Sequence, residues 1–398
     1  MKIAIIADAY PPMQSSASIM LEDLAIEFAT QGHEPIVIIP DCNITDSVVR
    51  SSVNGIKVYR VLCPQTKDLN YFKRTISEFY MPFAMKRNLK KSDFVSIKLD
   101  GIVWYSPSIF HGPLIKFLKK LNNCNSYLIL RDIFPDWAAD LGLMNRGLPY
   151  RLFKVIERFQ YSVADTIGVQ TPANLKYFQK NPSLASCEIV VLNNWLSIRE
   201  TEVSKNPLNI NTLAERKLFV YSGNMGKAQD IKPFFEVIAA LDNSRHDIGF
   251  IFVGRGSEVS TLKKEILSRN LSNVIIFDEI EHEKLPSLYA QCDFGMVFLD
   301  SRHKTHNIPG KFISYMHHGL PVLACINEGN DLLDIINSKG LGHAFIGFDT
   351  SRILSAVQEM TNNEDYRKKI PDRCRDFAQK KFSSSNTVGQ ILSSLTKY

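Results

Sequence analysis

Apolar runs of strand length alternate with amphipathic helical stretches along this chain, and the alternation occurs twice. In the first half the strand-like runs are Ile3–Ala7, Pro35–Ile39, Ile102–Tyr105, Tyr127–Leu130, Thr166–Val169 and Ile189–Leu192. Helices are predicted at about Ser18–Thr30, Leu114–Leu121, Tyr150–Ser162 and Pro172–Gln179. A polar stretch from about Asn193 to Glu215 breaks the pattern and reads as a linker. Strands then resume at Leu218–Tyr221, Gly249–Val253, Val274–Phe277, Gly295–Leu299, Val322–Ile326 and His343–Ile346. Helices fit about Lys232–Leu241, Glu258–Arg269, Leu285–Gln291, Leu332–Ser338 and Ser351–Met360, and the tail from Tyr366 is helical with no strand after it. Such alternation points to parallel sheets covered by helices on both faces. At 398 residues the chain is long for one core, so two domains are expected. The expected class is α/β, with two doubly wound domains and a cleft between them. The domains are drawn at 1–195 and 196–379, and a C-terminal helix of about 380–398 packs back on the first.

The segment Thr305-His-Asn-Ile-Pro-Gly-Lys-Phe-Ile-Ser-Tyr-Met-His-His-Gly-Leu-Pro-Val-Leu-Ala324 carries the most information. It follows the apolar run Phe294–Leu299. Gly310 opens a helix and Gly319 closes it, so the loop sits at the carboxyl end of a strand and feeds a helix N-terminus. Ligands bind at such strand ends, and helix N-termini favour anions. Lys311 adds a cation in the first turn. Ser222-Gly-Asn-Met-Gly226 and Val253-Gly-Arg-Gly256 are two further strand-to-helix turns, where glycine lets backbone approach a phosphate or simply makes a tight turn. Arg255 suits a phosphate or carboxylate, or a plain surface position. A third strand ends in Phe277-Asp-Glu-Ile280, which can present backbone to a planar base. Four such loops on one edge read together as a nucleotide-diphosphate site.

In the first half, Asp8-Ala-Tyr-Pro-Pro-Met-Gln-Ser-Ser-Ala-Ser18 follows the first strand. Ser15, Ser16 and Ser18 either cap the next helix or line the cleft. Arg131-Asp-Ile-Phe-Pro-Asp-Trp137 follows another strand. Asp132 or Asp136 can act as a base or orient a hydroxyl. Alternatively Asp136 caps a helix and Asp132 pairs with Arg131. The histidines at 303, 306, 317 and 318 fit no zinc spacing. There is no Asp-x-Asp pair, so no metal is expected; His306 is instead a polar group beside the substrate. Seven cysteines without a C-x-x-C pair read as reduced core thiols.

Charge is uneven: residues 1–190 carry 22 Lys/Arg against 17 Asp/Glu, out of 47 and 41 in the whole chain. That bias suits an anionic partner or a solvated basic face. It concentrates in Lys67–Lys91, where lysines and arginines interleave with Tyr71, Phe72, Phe79, Tyr80, Met81 and Phe83. A membrane interface with anionic headgroups fits this pattern, as does an ordinary amphipathic helix. No nucleic-acid motif accompanies it, so no nucleic-acid partner is expected. No signal peptide or spanning run is visible, and a cytoplasmic protein, peripheral on the inner membrane, is expected.

The two-domain layout, Gly223-Asn-Met-Gly226, Val253-Gly-Arg-Gly256 and Pro309-Gly-Lys-Phe…Met316…Gly319-Leu-Pro-Val322 resemble the retaining glycosyltransferase family 4. Arg131-Asp-Ile-Phe-Pro-Asp-Trp and Thr305-His-Asn-Ile-Pro-Gly-Lys-Phe look like the subgroup of bacterial O-antigen and capsule enzymes that transfer N-acetyl-L-fucosamine. The resemblance implies the GT-B fold of two Rossmann-like domains, with the donor nucleotide on the second and the acceptor toward the first. It implies a UDP-sugar donor, a polyprenyl-diphosphate-linked saccharide acceptor, retention of configuration, and no metal or other cofactor. Gly223, Asn224, Arg255, Glu279, Asn307, Pro309, Gly310, Lys311 and Ser314 would bind the donor. Ser15, Ser16 and Arg131 would lie on the acceptor side, with Asp132 and His306 as catalytic candidates. The family usually carries two glutamates eight positions apart, and these fall on His306 and Ser314. Asn224 occupies a position where the family commonly has Arg. A UDP-sugar 2-epimerase of the same fold, or a non-catalytic nucleotide-sugar-binding partner, are the alternatives.

Overall fold

The computed structural model describes residues 1–13, 15–67, 69–140, 142–182, 187–196, 208–213, 215–301 and 308–397, with the side chains of Ser16 and His282 outside the description. The chain divides into two compact units, residues 1–197 with 383–398, and residues 198–382. The first contains β1 (Lys2–Ile6), α1 (Ser16–Thr30), β2 (Glu34–Asp41), β3 (Val48–Val53), β4 (Ile56–Leu62), α2 (Tyr71–Lys90), β5 (Gly101–Tyr105), α3 (Gly112–Asn122), β6 (Asn125–Leu130), α4 (Asp136–Asp140), α5 (Leu148–Val163), β7 (Thr166–Val169), α6 (Pro172–Lys180) and β8 (Glu188–Val191). The second contains β9 (Lys217–Ser222), α7 (Phe234–Ser244), β10 (Ile248–Val253), α8 (Val259–Arg269), β11 (Val274–Phe277), α9 (Leu285–Tyr289), β12 (Phe294–Phe298), α10 (Gly310–His317), β13 (Val322–Ile326), α11 (Leu332–Lys339), β14 (Gly342–Ile346), α12 (Thr350–Asn362), α13 (Asp365–Lys368) and α14 (Ile370–Phe382). The last helix, α15 (Ser384–Leu395), returns to the first unit.

The first sheet has the order β3-β4-β2-β1-β5-β6-β7-β8 and the second β11-β10-β9-β12-β13-β14. All pairings are parallel except β3 with β4. That antiparallel hairpin is absent from the sequence reading, although its signal is present. Asn54 and Gly55 join the two strands with φ of 48° and 81°, the pair of positive values a two-residue hairpin turn requires.

Helices cover both faces of the first sheet. Met81, Met85 and Leu89 of α2, Leu114, Ile115 and Leu118 of α3, and Tyr161 of α5 fill the core on one face. Leu21, Leu24 and Phe28 of α1 join Val388, Ile391 and Leu395 of α15 on the other. Asn125 Nδ2 donates to the Leu395 carbonyl at 3.0 Å, and Gln390 Nε2 to the Val191 carbonyl at 2.6 Å, which fixes α15 against β6 and β8. In the second unit Phe219 stacks on Phe250 and Phe294, with centroids 5.5 and 4.5 Å apart, and ties the central strands together.

Strand order reverses once in each sheet, between β1 and β5 and between β9 and β12. At such a switch point the loops leaving adjacent strands diverge and open a crevice at the carboxyl ends.

Candidate functional site

Two loops meet beside the switch point of the second sheet. The turn after β9 is zipped to the turn after β10. The Gly223 amide donates to the Val253 carbonyl at 2.8 Å, and the Met225 amide to the Arg255 carbonyl at 2.7 Å. Glycine at 254 and 256 is enforced by this approach. Their φ values are 147° and 151°, and a Cβ would lie 1.9 Å from the Gly223 carbonyl oxygen or 2.2 Å from that of Met225. Gly254→Ala is therefore expected to destabilise the second unit by about 2 kcal/mol or more, with its thermal midpoint falling by about 4–8 °C. Gly310→Ala is the control, since nothing lies within 4 Å of its Cβ position. Differential scanning calorimetry of the two variants measures the contrast.

The next strand in the sheet, β12, leads to α10. Pro309 is its N-cap, and among the described residues no side chain caps the first turn, which leaves first-turn amides open to an anion. Lys311 lies over the Tyr221 ring, Nζ 3.6 Å from the centroid. A Cβ on Gly223 would be 3.5 Å from Lys311 Nζ, so the glycine turn and the ammonium are neighbours. Among the described residues no carboxylate pairs with Lys311, and burial pulls its pKa down to about 7. A cation–π contact partly offsets the desolvation. Tyr221 is itself held between Phe252 and Phe298, with centroids 5.8 and 5.7 Å away. Beneath the turn, Ser222 Oγ hydrogen-bonds Tyr289 Oη at 2.6 Å, and the Ser222 amide donates to Tyr315 Oη at 2.9 Å. The result is a packed floor under a lysine that, among the described residues, has no carboxylate partner.

The other donor-side residues divide by partner. Asn224 Nδ2 donates to Gln229 Oε1 at 3.1 Å, and its carbonyl accepts from Tyr221 Oη at 2.6 Å. Arg255 and Glu279 form an exposed ion pair at 3.4 Å. Such a pair contributes little to stability and opens readily. Ser314 Oγ donates back to the Gly310 carbonyl at 3.3 Å. His306 and Asn307 lie outside the described residues. Among the described residues no group of three or more His, Cys, Asp or Glu is placed to hold a metal.

The residues that the sequence reading put on the acceptor side are placed as follows. Ser15 caps α1, accepting from the Ser18 amide at 3.2 Å. Ser16 begins that helix. Arg131 is buried; it donates to the Leu192 carbonyl at 2.8 Å and lies over Trp195 at 5.1 Å. These contacts anchor the segment after β8. Asp132 is half-buried at the end of β6. Asp136 opens α4 and accepts from Tyr150 Oη at 2.7 Å, Tyr177 Oη at 2.6 Å and Lys154 Nζ at 2.8 Å. Burial pushes its carboxyl up, but the bonds from Lys154, Tyr177 and Tyr150 outweigh this and leave it below the ordinary range. Lys154 also pairs with Glu157, whose burial raises it to about 7.

One pair was missed in the sequence. His111, fully buried at the N-cap of α3, bonds through Nε2 to Asp8 Oδ1 at 2.9 Å. Asp8 leaves β1 and His111 follows β5, so the pair occupies the switch point of the first sheet. The residues are 103 apart in sequence, and no local motif links them. The only available signal was a carboxylate just past one strand and a histidine just before a helix.

Comparison with known proteins adds a family match over part of the chain and a fold. Residues 204–380 match the family described as Glycosyl transferases group 1. The probable glycosyltransferase WbjE of Pseudomonas aeruginosa is 27% identical over 225 residues, which span 54% of this chain and 54% of that relative. The putative colanic acid biosynthesis glycosyl transferase WcaI of Escherichia coli is 23% identical over 324 residues, 75% of this chain and 76% of that one. The crystal structure of Anabaena HepE in complex with UDP and glucose superposes with a TM-score of 0.67 at 14% identity, over 100% of both chains. That last likeness is one of fold. The fold is GT-B, with two Rossmann-like units, and the stretch that matches Glycosyl transferases group 1 lies in the second unit.

Proposed function

We propose that this group 1 glycosyltransferase domain and the first unit together move a sugar from a UDP-sugar donor to a lipid-linked saccharide. The observation that carries the donor half is Lys311, a half-buried lysine without a carboxylate partner among the described residues, in the first turn of the helix that Pro309 opens beside the switch point. A diphosphate there gains the lysine charge, the first-turn amides of α10 and, once the Glu279 pair opens, Arg255. Gly223 and Asn224 would lie along the diphosphate, with Pro309, Gly310, Asn307 and His306 facing phosphate and sugar. Glu279 would border the base, and the Ser314 hydroxyl would meet the ribose, since it can still accept while donating to its own helix.

In the transfer, the bond from the anomeric carbon to the UDP oxygen breaks and a bond to the acceptor oxygen forms. The departing diphosphate gains negative charge, which fixed positive groups stabilise without rearrangement. The acceptor hydroxyl gives up its proton, and in this proposal Asp8, held by His111, would take it. Asp132 lies on the same sheet edge with β5 between them, about 10 Å away by strand spacing, and would orient the acceptor. Retention of configuration, absence of a metal, a family 4 affiliation, N-acetyl-L-fucosamine as the sugar, and a polyprenyl-diphosphate acceptor in O-antigen or capsule assembly belong to the same proposal. They rest on the resemblance of the Arg131–Trp137 and Thr305–Phe312 segments. WcaI's colanic acid role and the UDP held by HepE support it.

A lipid-linked acceptor places the enzyme against the inner membrane from the cytoplasmic side, and α2 is the proposed contact. Tyr71 is 89% and Phe72 76% exposed, and Ile76, Phe79, Tyr80 and Phe83 are exposed with them. No helix among the described residues is long and apolar enough to span a bilayer.

Thermal shift with a panel of UDP-sugars tests the donor site. A bound donor at 100 times its Kd is expected to stabilise the protein by about 2.7 kcal/mol. A flat response to every UDP-sugar would count against the proposal.

A further inference from the structure

The helix α5 exposes a stripe that no donor or acceptor role uses. Leu148, Val155 and Leu152 are 80%, 63% and 57% exposed, and Phe159 is exposed with them. Their spacing of i, i+4, i+7 and i+11 puts all four on one helix face. Arg151 and Arg158, both exposed, flank that face. The only acidic residue of α5 is Glu157, which is buried and paired with Lys154. The adjacent helix α3 has no acidic residue and carries Lys116, Lys119 and Lys120.

Between the two helices is an open hollow of about 600 Å³, lined by those three lysines, Asn123, Phe159 and Ser162. Lys119 is committed to Asp165 at 2.7 Å. Among the described residues, Lys116 and Lys120 pair with no carboxylate. Lys116 Nζ lies 5.7 Å from the Phe159 ring centroid, and Lys86 and Lys90 of α2 each lie 5.3 Å from that of Phe117 on α3. Lysine–aromatic contacts therefore link α2 to α3 and α3 to α5. The hollow is at the far end of α3 from His111, about 16 Å away by helix rise, and is separate from the Asp8–His111 edge.

We infer that the α2–α3–α5 layer is a docking surface for an anionic bilayer. The lysine hollow takes a lipid phosphate, and the α5 stripe sits in the boundary between headgroups and acyl chains. Charge complementarity selects this occupant: an apolar stripe bordered by Arg151 and Arg158, beside a hollow lined by Lys116, Lys119 and Lys120, matches a negatively charged interface. The inference extends the α2 contact proposed above and does not depend on the donor site.

The test is co-sedimentation of the full chain with phosphatidylcholine vesicles, with or without phosphatidylglycerol as about one third of the lipid. Wild type is expected to partition onto the anionic vesicles alone. Lys116→Ala/Lys120→Ala is expected to lower partitioning about thirtyfold, and Leu152→Ser/Val155→Ser about tenfold. Both should retain the wild-type circular dichroism and UDP-sugar thermal shift, so loss of vesicle binding is read separately from loss of donor binding. Phe79→Ser/Phe83→Ser reports on α2 alone. Wild-type sedimentation of both α3 and α5 variants would overturn the inference, and so would equal binding to neutral vesicles. A dimer that Leu152→Ser/Val155→Ser dissociates, with vesicle binding intact, would instead assign the face to a second copy of the chain. The lysine and leucine–valine pairs are independent, so an unstable variant of one leaves the other to decide.

Discussion

Lys311→Ala is expected to lower kcat/KM by about 10²–10³, the cost of removing one preorganised charge from a transition state. The loss should appear in donor affinity as well, because the same ammonium meets the ground-state diphosphate. Fold stability should not fall with it. Burial pulls Lys311 to about 7, so in the empty protein the charged form is disfavoured. Its folded pKa lies below its unfolded value, and the unfolded chain holds the extra proton above about pH 7. Stability of the empty protein therefore rises as pH climbs from about 7 toward the ordinary lysine range, and Lys311→Ala removes that dependence. Donor binding has the opposite slope. A UDP-sugar keeps the same diphosphate charge over this range and needs the ammonium protonated, so affinity should weaken as pH rises above about 7. In Lys311→Ala, titration calorimetry should show a weak affinity with little pH slope. An unchanged slope would remove Lys311 from the site.

The second large effect is expected at Asp8. Asp8→Asn keeps the shape but cannot accept a proton, and kcat should fall by about 10²–10⁴ with KM for the donor little changed. His111→Gln should lower kcat less, since in the proposal the imidazole orients the carboxylate and does not replace it. Asp132→Asn should act mainly on KM for the acceptor. If Asp132→Asn reproduces the kcat loss and Asp8→Asn does not, the two roles are exchanged.

The sequence made the second unit legible because its features are local. Each glycine turn follows its strand directly, and Lys311 is two residues past Pro309. The physical reason for Gly254 and Gly256 was not legible: they admit the neighbouring turn, a contact that appears only when β9 and β10 pair. The first unit was harder to read. Asp8 and His111 are brought together by the pairing of β1 with β5, which no spacing rule encodes. Arg131, read as an acceptor-side group, spends donors on the carbonyl after β8, and Asp136, read as a cap or a base, is held by Tyr150, Lys154 and Tyr177. Both depend on residues remote in sequence. The aromatics of α2 were visible as a mixture of basic and apolar residues, and the structure leaves all five of them, Tyr71, Phe72, Phe79, Tyr80 and Phe83, exposed together with Ile76. The α5 stripe looked like an ordinary amphipathic helix, because a periodic apolar face gives no sign of whether anything covers it.

The most direct measurement is mass spectrometry of the products formed from UDP-N-acetyl-L-fucosamine and a polyprenyl-diphosphate-linked saccharide. Sugar transfer should add one N-acetylfucosamine residue to the lipid-linked saccharide and release one UDP for each, and Lys311→Ala should suppress both. Epimerised UDP-sugar formed without acceptor, or no UDP released from any UDP-sugar in the presence of lipid-linked saccharides, would contradict sugar transfer by this chain.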